Sequence, residues 1–157
     1  MTGTLFPTLL LIALGLTLIV AAVIDVRTFT ISNRLNAAVA LSAPVFWWST
    51  GMPFWPGAAI QIAAAIVVFA ALAVAFFIGM MGGGDVKLAA ALALWFAPSA
   101  TLRFLVYMSL AGGLLTLGLM MAHRVRQRPG RPEIPYGVAI AIGAWVILAQ
   151  RFLNQFA

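Results

Sequence analysis

The sequence predicts an all-α membrane protein: a polytopic bundle of about six transmembrane helices, with the N-terminus and C-terminus outside. Three observations carry this. The 157 residues are 64% hydrophobic with a mean hydropathy of +1.11, far too apolar for a soluble domain. Apolar runs recur at close to the ~20 residues a helix needs to cross a hydrocarbon core roughly 30 Å thick. Of the nine Lys and Arg, seven (Arg27, Arg34, Lys87, Arg124, Arg126, Arg128 and Arg131) fall on one side of the alternating runs. Only Arg103 and Arg151 fall on the other. Cytoplasmic loops carry the basic excess, which fixes the orientation. Helices are the expected element because they satisfy their own backbone polar groups in lipid. The whole chain, residues 1–157, reads as a single integral-membrane domain.

The runs follow in order. Met1-Thr2-Gly3-Thr4 carries no basic residue, and the apolar run after it exceeds a usual signal-peptide core, so Leu5–Ile24 is expected to be a retained first helix. The second span is Leu35–Trp48, the third Gly57–Ile78 and the fourth Val86–Ala97. The fifth is Leu102–Ala122 and the sixth Tyr136–Phe152. The second and fourth, at about 12 to 14 residues, also suit a re-entrant segment or a buried short helix. Trp47, Trp48 and Trp55 flank the loop Ser49–Pro56, and Trp95 ends the fourth run; all four are expected at the outer interface. Gly137 with Ala141, and Ala139 with Gly143, are small-residue pairs that let helices approach closely. Ala89, Ala90, Ala91 and Ala93 make the fourth run similarly slim. His123–Pro135 reads as a polar loop punctuated by proline.

Composition narrows the chemistry. There is no cysteine and one histidine, His123, which leaves no thiolate or His-rich metal site and no disulfide framework. No metal or cofactor is expected. The net charge of +6 suits anionic lipid headgroups rather than nucleic acid in so apolar a chain.

The three acids are Asp25, Asp85 and Glu133, all on the cytoplasmic side of this topology. Ionisable residues at membrane depth are costly and are functional candidates by default. Asp85 follows Gly82-Gly83-Gly84 and precedes an apolar run, a natural helix N-cap whose geometry would also fix a catalytic carboxylate. Asp25 ends the first helix, where the macrodipole disfavours negative charge unless Arg27 or Arg34 pairs with it. Glu133 sits among arginines and reads as a solvated loop charge. Two adjacent carboxylates cannot both ionise cheaply, so one keeps a proton. The ionised one can activate water against an amide, while the other protonates the carbonyl and then the leaving nitrogen. Gly82 and Gly84 would permit a tight turn and close backbone approach.

Gly82-Gly83-Gly84-Asp85 matches the GxGD motif of intramembrane aspartyl proteases, and its extension Val86-Lys87-Leu88 resembles that of type IV prepilin peptidases. Asp25, Arg27 and Ile31-Ser32-Asn33 resemble that family's first-aspartate region, where proline often replaces Ser32. Pro135-Tyr136-Gly137 resembles its late proline–aromatic–glycine signature. The short chain is similar to the branch serving Flp-type (tight-adherence) pili, with archaeal preflagellin peptidases as close relatives. The resemblance implies a prepilin helix as partner and cleavage of its leader after a glycine at the cytoplasmic face of the inner membrane. It makes Asp25 and Asp85 the catalytic pair, supported by Gly82, Gly84, Lys87, Asn33, Pro135 and Gly137. Larger bacterial members methylate the new N-terminus and carry a cysteine-rich domain. Without cysteine, methyltransferase activity is not expected here. The proline–alanine–leucine–proline motif of presenilin-like proteases is absent.

Two other classes compete with the peptidase. A small proton-coupled transporter would use the aspartates as relay groups, although such sites favour the bilayer midplane. A non-catalytic pilus or secretion assembly factor would use them only to cap and to pair.

Overall fold

The computed structural model describes residues 5–125 and 133–156, and within these every regular element is a helix. They are α1 (Leu5–Thr28), α2 (Asn33–Ser49), α3 (Ala59–Phe77, entered through a π-turn at Phe54–Ala58), α4 (Gly83–Ala93), α5 (Pro98–Val125) and α6 (Tyr136–Phe156). The expected Arg126, Arg128 and Arg131, and the first four residues, lie outside the described segments. The chain is an all-α membrane protein. Four of the six helices, α1, α3 with its π-turn, α5 and α6, are long and apolar enough to cross a bilayer.

Several helices run further than the apolar runs suggest. α1 continues four residues past Ile24, because Thr28 bonds its hydroxyl to the Ile24 carbonyl and Phe29 closes the turn with φ +51°. α5 starts at Pro98, whose fixed φ and missing N–H suit the first helical position. It also runs through His123 to Val125. Its 28 residues make a rod of about 42 Å at 1.5 Å per residue, longer than the hydrocarbon core.

α4 is the centre of the bundle and the exception to its length rule. It is 11 residues long, about 16 Å by the same rise, and cannot span. It packs against α2, α3, α5 and α6, while α1 lies along α6 and α2. Seven of its residues, Asp85, Val86, Leu88, Ala89, Ala91, Leu92 and Ala93, are buried. A helix that stops inside the protein leaves its last carbonyls without partners, and lipid offers none. Buried side chains take them instead. The Trp47 indole donates to the Leu94 carbonyl at 2.8 Å, and Thr101 Oγ1 to that of Phe96 at 3.2 Å. The Gln61 amide on α3 faces both carbonyls, an environment of acceptors that calls for its nitrogen on that side.

This corrects the reading of two tryptophans. Trp48 and Trp55 are exposed, as an interfacial ring would be. Trp47 and Trp95 are core residues, and Trp95 donates to the Val39 carbonyl at 2.9 Å and stacks on Phe46. Their N–H groups stitch α4 to α2 where an interfacial ring would have met water. Isolated hydroxyls in the spans are satisfied locally: Thr17, Ser42 and Thr116 each bond the carbonyl four residues back. α5 and α6 meet at Gly143, where a methyl would lie 2.8 Å from the Met108 backbone nitrogen.

Candidate active site

One end of the bundle gathers the C-terminus of α1 and the N-termini of α2, α4 and α6. Asp25 and Asp85 both lie there. The buried face of α1 runs through Leu11, Leu14, Leu18 and Ala21, and the next residue on it is Asp25. The acid is 2% exposed and extends an apolar stripe into the core. Its position at a helix C-terminus is unfavourable alone, but the N-terminus of α6 faces it. The Gly137 amide donates to Asp25 Oδ2 at 2.6 Å, and the Val138 amide also reaches the carboxylate. Orphan amides at a helix start form an anion site, so α6 offsets what α1 disfavours. Arg27 and Arg34 are exposed, and neither forms an ion pair with Asp25 among the described residues.

Gly137 is therefore more than a packing residue. A methyl there would stand 2.8 Å from Asp25 Oδ2, 2.8 Å from Ile31 Cδ1 and 2.9 Å from Asp25 Cβ. Only glycine lets α6 come this close. Pro135 is buried just before the helix and Tyr136 is its first residue.

Asp85 is not the N-cap of α4. Gly82 holds that position, with Gly83 and Gly84 as the first helical residues and Asp85 as the third. Its carboxylate turns back to the Gly82 amide, as the acidic member of a capping box does. A methyl on Gly82 would lie 2.7 Å from Asp85 Oδ2. The other oxygen, Oδ1, is buried and has no hydrogen-bond partner among the described residues. Gly84 is needed for a different reason: its added methyl would lie 2.7 Å from the Ile31 carbonyl oxygen.

Ile31 thus packs between two of the glycines that neighbour the acids, its backbone against Gly84 and its side-chain tip against Gly137. Asp85 lies within electrostatic reach of Asp25. Around them, Ser32 caps α2 through Leu35 N, and Lys87 Nζ donates to Asn33 Oδ1 at 2.8 Å on the exposed rim. Glu133 is exposed. Two residues of this site were not anticipated from the sequence. In the sequence Ile31 stands out only as part of a motif, and Asn36 belongs to none. Asn36 is buried and donates from Nδ2 to the Gly84 carbonyl at 2.9 Å. Its signal was a polar residue three positions after Asn33, on the same helix face.

Chemically, two buried carboxylates within electrostatic reach, one with an oxygen free and the other held by amides, do not both ionise cheaply and can divide the acid and base roles toward a water. No curated protein and no solved structure is matched. A family model described as the type IV leader peptidase family matches residues 12–117, more than half of the chain, and both aspartates fall inside that stretch. A peptidase family, a membrane-embedded bundle and a buried acid pair at one end converge: the chain belongs to the type IV leader peptidase family.

Proposed function

We propose that the protein is an intramembrane aspartyl endopeptidase that removes the leader of Flp-like type IV prepilins at the cytoplasmic face of the inner membrane. The observation that supports the aspartyl reading is the shared location of Asp25 and Asp85, two buried acids within electrostatic reach of each other at one end of the bundle. In the reaction, the ionised carboxylate takes a proton from water as its oxygen bonds to the scissile carbonyl carbon. The protonated carboxyl gives its proton to the carbonyl oxygen, forming a neutral diol. Collapse of the diol breaks the C–N bond, and a proton passes to the leaving nitrogen. Both oxygens of the new carboxyl group are then accounted for by water and the original carbonyl.

The orientation is supported by the basic residues beside the acids: Arg27, Arg34 and Lys87 are exposed at that same end. The absence of cysteine supports a peptidase without the methylating partner activity of larger relatives. Membranes containing the wild type, Asp25→Asn or Asp85→Asn, incubated with a tagged prepilin, test the proposal. Near-complete loss of cleavage in each variant is expected. Undiminished cleavage by either variant would remove that residue from the pair.

A further inference from the structure

We propose that the groove between α2, α3 and α4 seats the apolar helix of the protein being cleaved, and that Asn36 accepts a backbone N–H from the segment unwound for cutting. This rests on the leader-peptidase reading and adds the path by which substrate lies on the bundle.

The groove has a volume of about 470 Å³. Its walls follow one rule. Residues at i, i+3, i+4 and i+7 line it from Asn33 on α2, from Ile62 on α3 and from Lys87 on α4. On a helix those positions share a face roughly 10 Å long, about two turns. Three helices thus present matched faces to an unfilled space.

The space has a polar end and an apolar end. Asn33, Asn36 and Lys87 mark the first: Lys87 lies two positions after Asp85 and donates to Asn33, and Asn36 donates to the Gly84 carbonyl. Beyond them the α2 and α4 walls narrow to Ala37, Ala40, Ala90 and Ala91. In lipid an apolar helix gains nothing by merely leaving the acyl chains. Close backbone packing on small residues and hydrogen bonds drive association.

Asn36 says what the occupant carries. It is 5% exposed, its Nδ2 is committed to Gly84, and its Oδ1 is buried with no donor among the described residues. A peptide bond presented to two carboxylates must leave the helix, which frees N–H groups that lipid cannot satisfy. An orphan acceptor beside the acids complements those orphan donors. A lipid chain would fit the apolar end but has no N–H for Oδ1. A second groove of about 470 Å³ lies between α3 and α5 against Tyr136. No buried unpartnered acceptor lines it among the described residues.

The test compares a full prepilin with a short peptide that spans the cut but lacks the apolar helix, using the purified protein in nanodiscs. Ala37→Trp fills the groove from an exposed position. It should raise KM for the prepilin at least ten-fold more than for the peptide. Gly113→Trp, in the second groove, should leave both unchanged. Equal KM values for wild type and Ala37→Trp on the prepilin, or a selective effect of Gly113→Trp instead, would overturn the assignment. Should Ala37→Trp lose both activities by misfolding, Phe69→p-benzoylphenylalanine decides. Photo-adducts with the prepilin's apolar helix support the groove; adducts with lipid alone, or none, refute it. Asn36→Leu should raise KM for both substrates. A fall in kcat at unchanged KM would make Asn36 a support for Gly84 and remove it from substrate contact. Failure of the wild type to cleave either substrate would instead sink the peptidase reading itself.

Discussion

Replacing Gly137 by alanine is the sharpest perturbation of the acid pair that adds only one methyl group. That carbon would meet Asp25 Oδ2 and Ile31 Cδ1 at 2.8 Å each, well inside ordinary contact. Ile31 Cδ1 is a side-chain tip that can turn aside, but Asp25 Cβ also lies 2.9 Å away, so the Asp25 carboxylate or α6 must still move. If the carboxylate swings away, it gives up a 2.6 Å amide hydrogen bond. Hydrogen bonds to charged groups contribute about 1.5–3 kcal/mol. If α6 moves instead, forcing a methyl into a filled site costs about 1–3 kcal/mol. The two outcomes are alternatives, so the losses do not add in full. A net loss of about 2–3 kcal/mol in transition-state stabilisation corresponds to a fall in kcat/KM of roughly 30- to 200-fold. The assay is initial-rate cleavage of a prepilin by purified protein in nanodiscs, with Gly113→Ala as the control. At Gly113 an added methyl meets nothing within 4 Å, so its rate should match wild type. If Gly137→Ala cleaves as fast as Gly113→Ala, the α6 amide is not what positions Asp25, and the reasoning fails.

Other predictions follow the same geometry. Gly84→Ala should be at least as damaging as Gly137→Ala, because its methyl meets the Ile31 carbonyl oxygen at 2.7 Å and backbone cannot rotate aside; cleavage rates of the two variants, side by side, decide. At the far end of α4, Trp47→Phe and Gln61→Leu remove two donors that converge on the Leu94 carbonyl. Each alone should be mild, whereas the double variant leaves a buried acceptor bare. It should lose about 1–3 kcal/mol more than the sum of the singles, read by unfolding in detergent. Additive losses would mean that the carbonyl finds another donor. The pH–rate profile should be bell-shaped, with two apparent pKa values that belong to the pair and not to either acid. A single-sided titration would argue that one carboxylate acts alone.

Much of this arrangement is legible in the sequence, and the parts that are not have physical causes. Six apolar runs separated by basic, proline-containing or glycine-rich segments read directly as six helices, since lipid leaves the backbone few alternatives. The acids were conspicuous because nothing else in so apolar a chain competes with them. Asp25's poor fit at the end of α1 was visible too, but its remedy was not. It comes from the start of α6, 112 residues later, and local patterning carries no trace of that partner. The same limit explains the tryptophans. Trp47 and Trp48 are neighbours with identical chemistry, yet one is 8% exposed and the other 78%, because only the first faces the carbonyls at the end of α4. The cap lies three positions before the acid that the sequence suggests: the helix begins at Gly83, which moves Asp85 inward from the cap at Gly82. Asn36 could have been found. It repeats the Asn33 face at helical spacing, and a polar residue there needs a partner.

The central claim is that Asp25 and Asp85 act as one unit. Its most direct measurement is the cleavage rate of Asp25→Asn, Asp85→Asn and the double variant, in nanodiscs with one prepilin at saturating concentration. Groups that share one chemical step lose their contribution together, so each single variant should fall nearly as far as the double. Single losses that multiply to give the double, or either single variant retaining wild-type turnover, would contradict it.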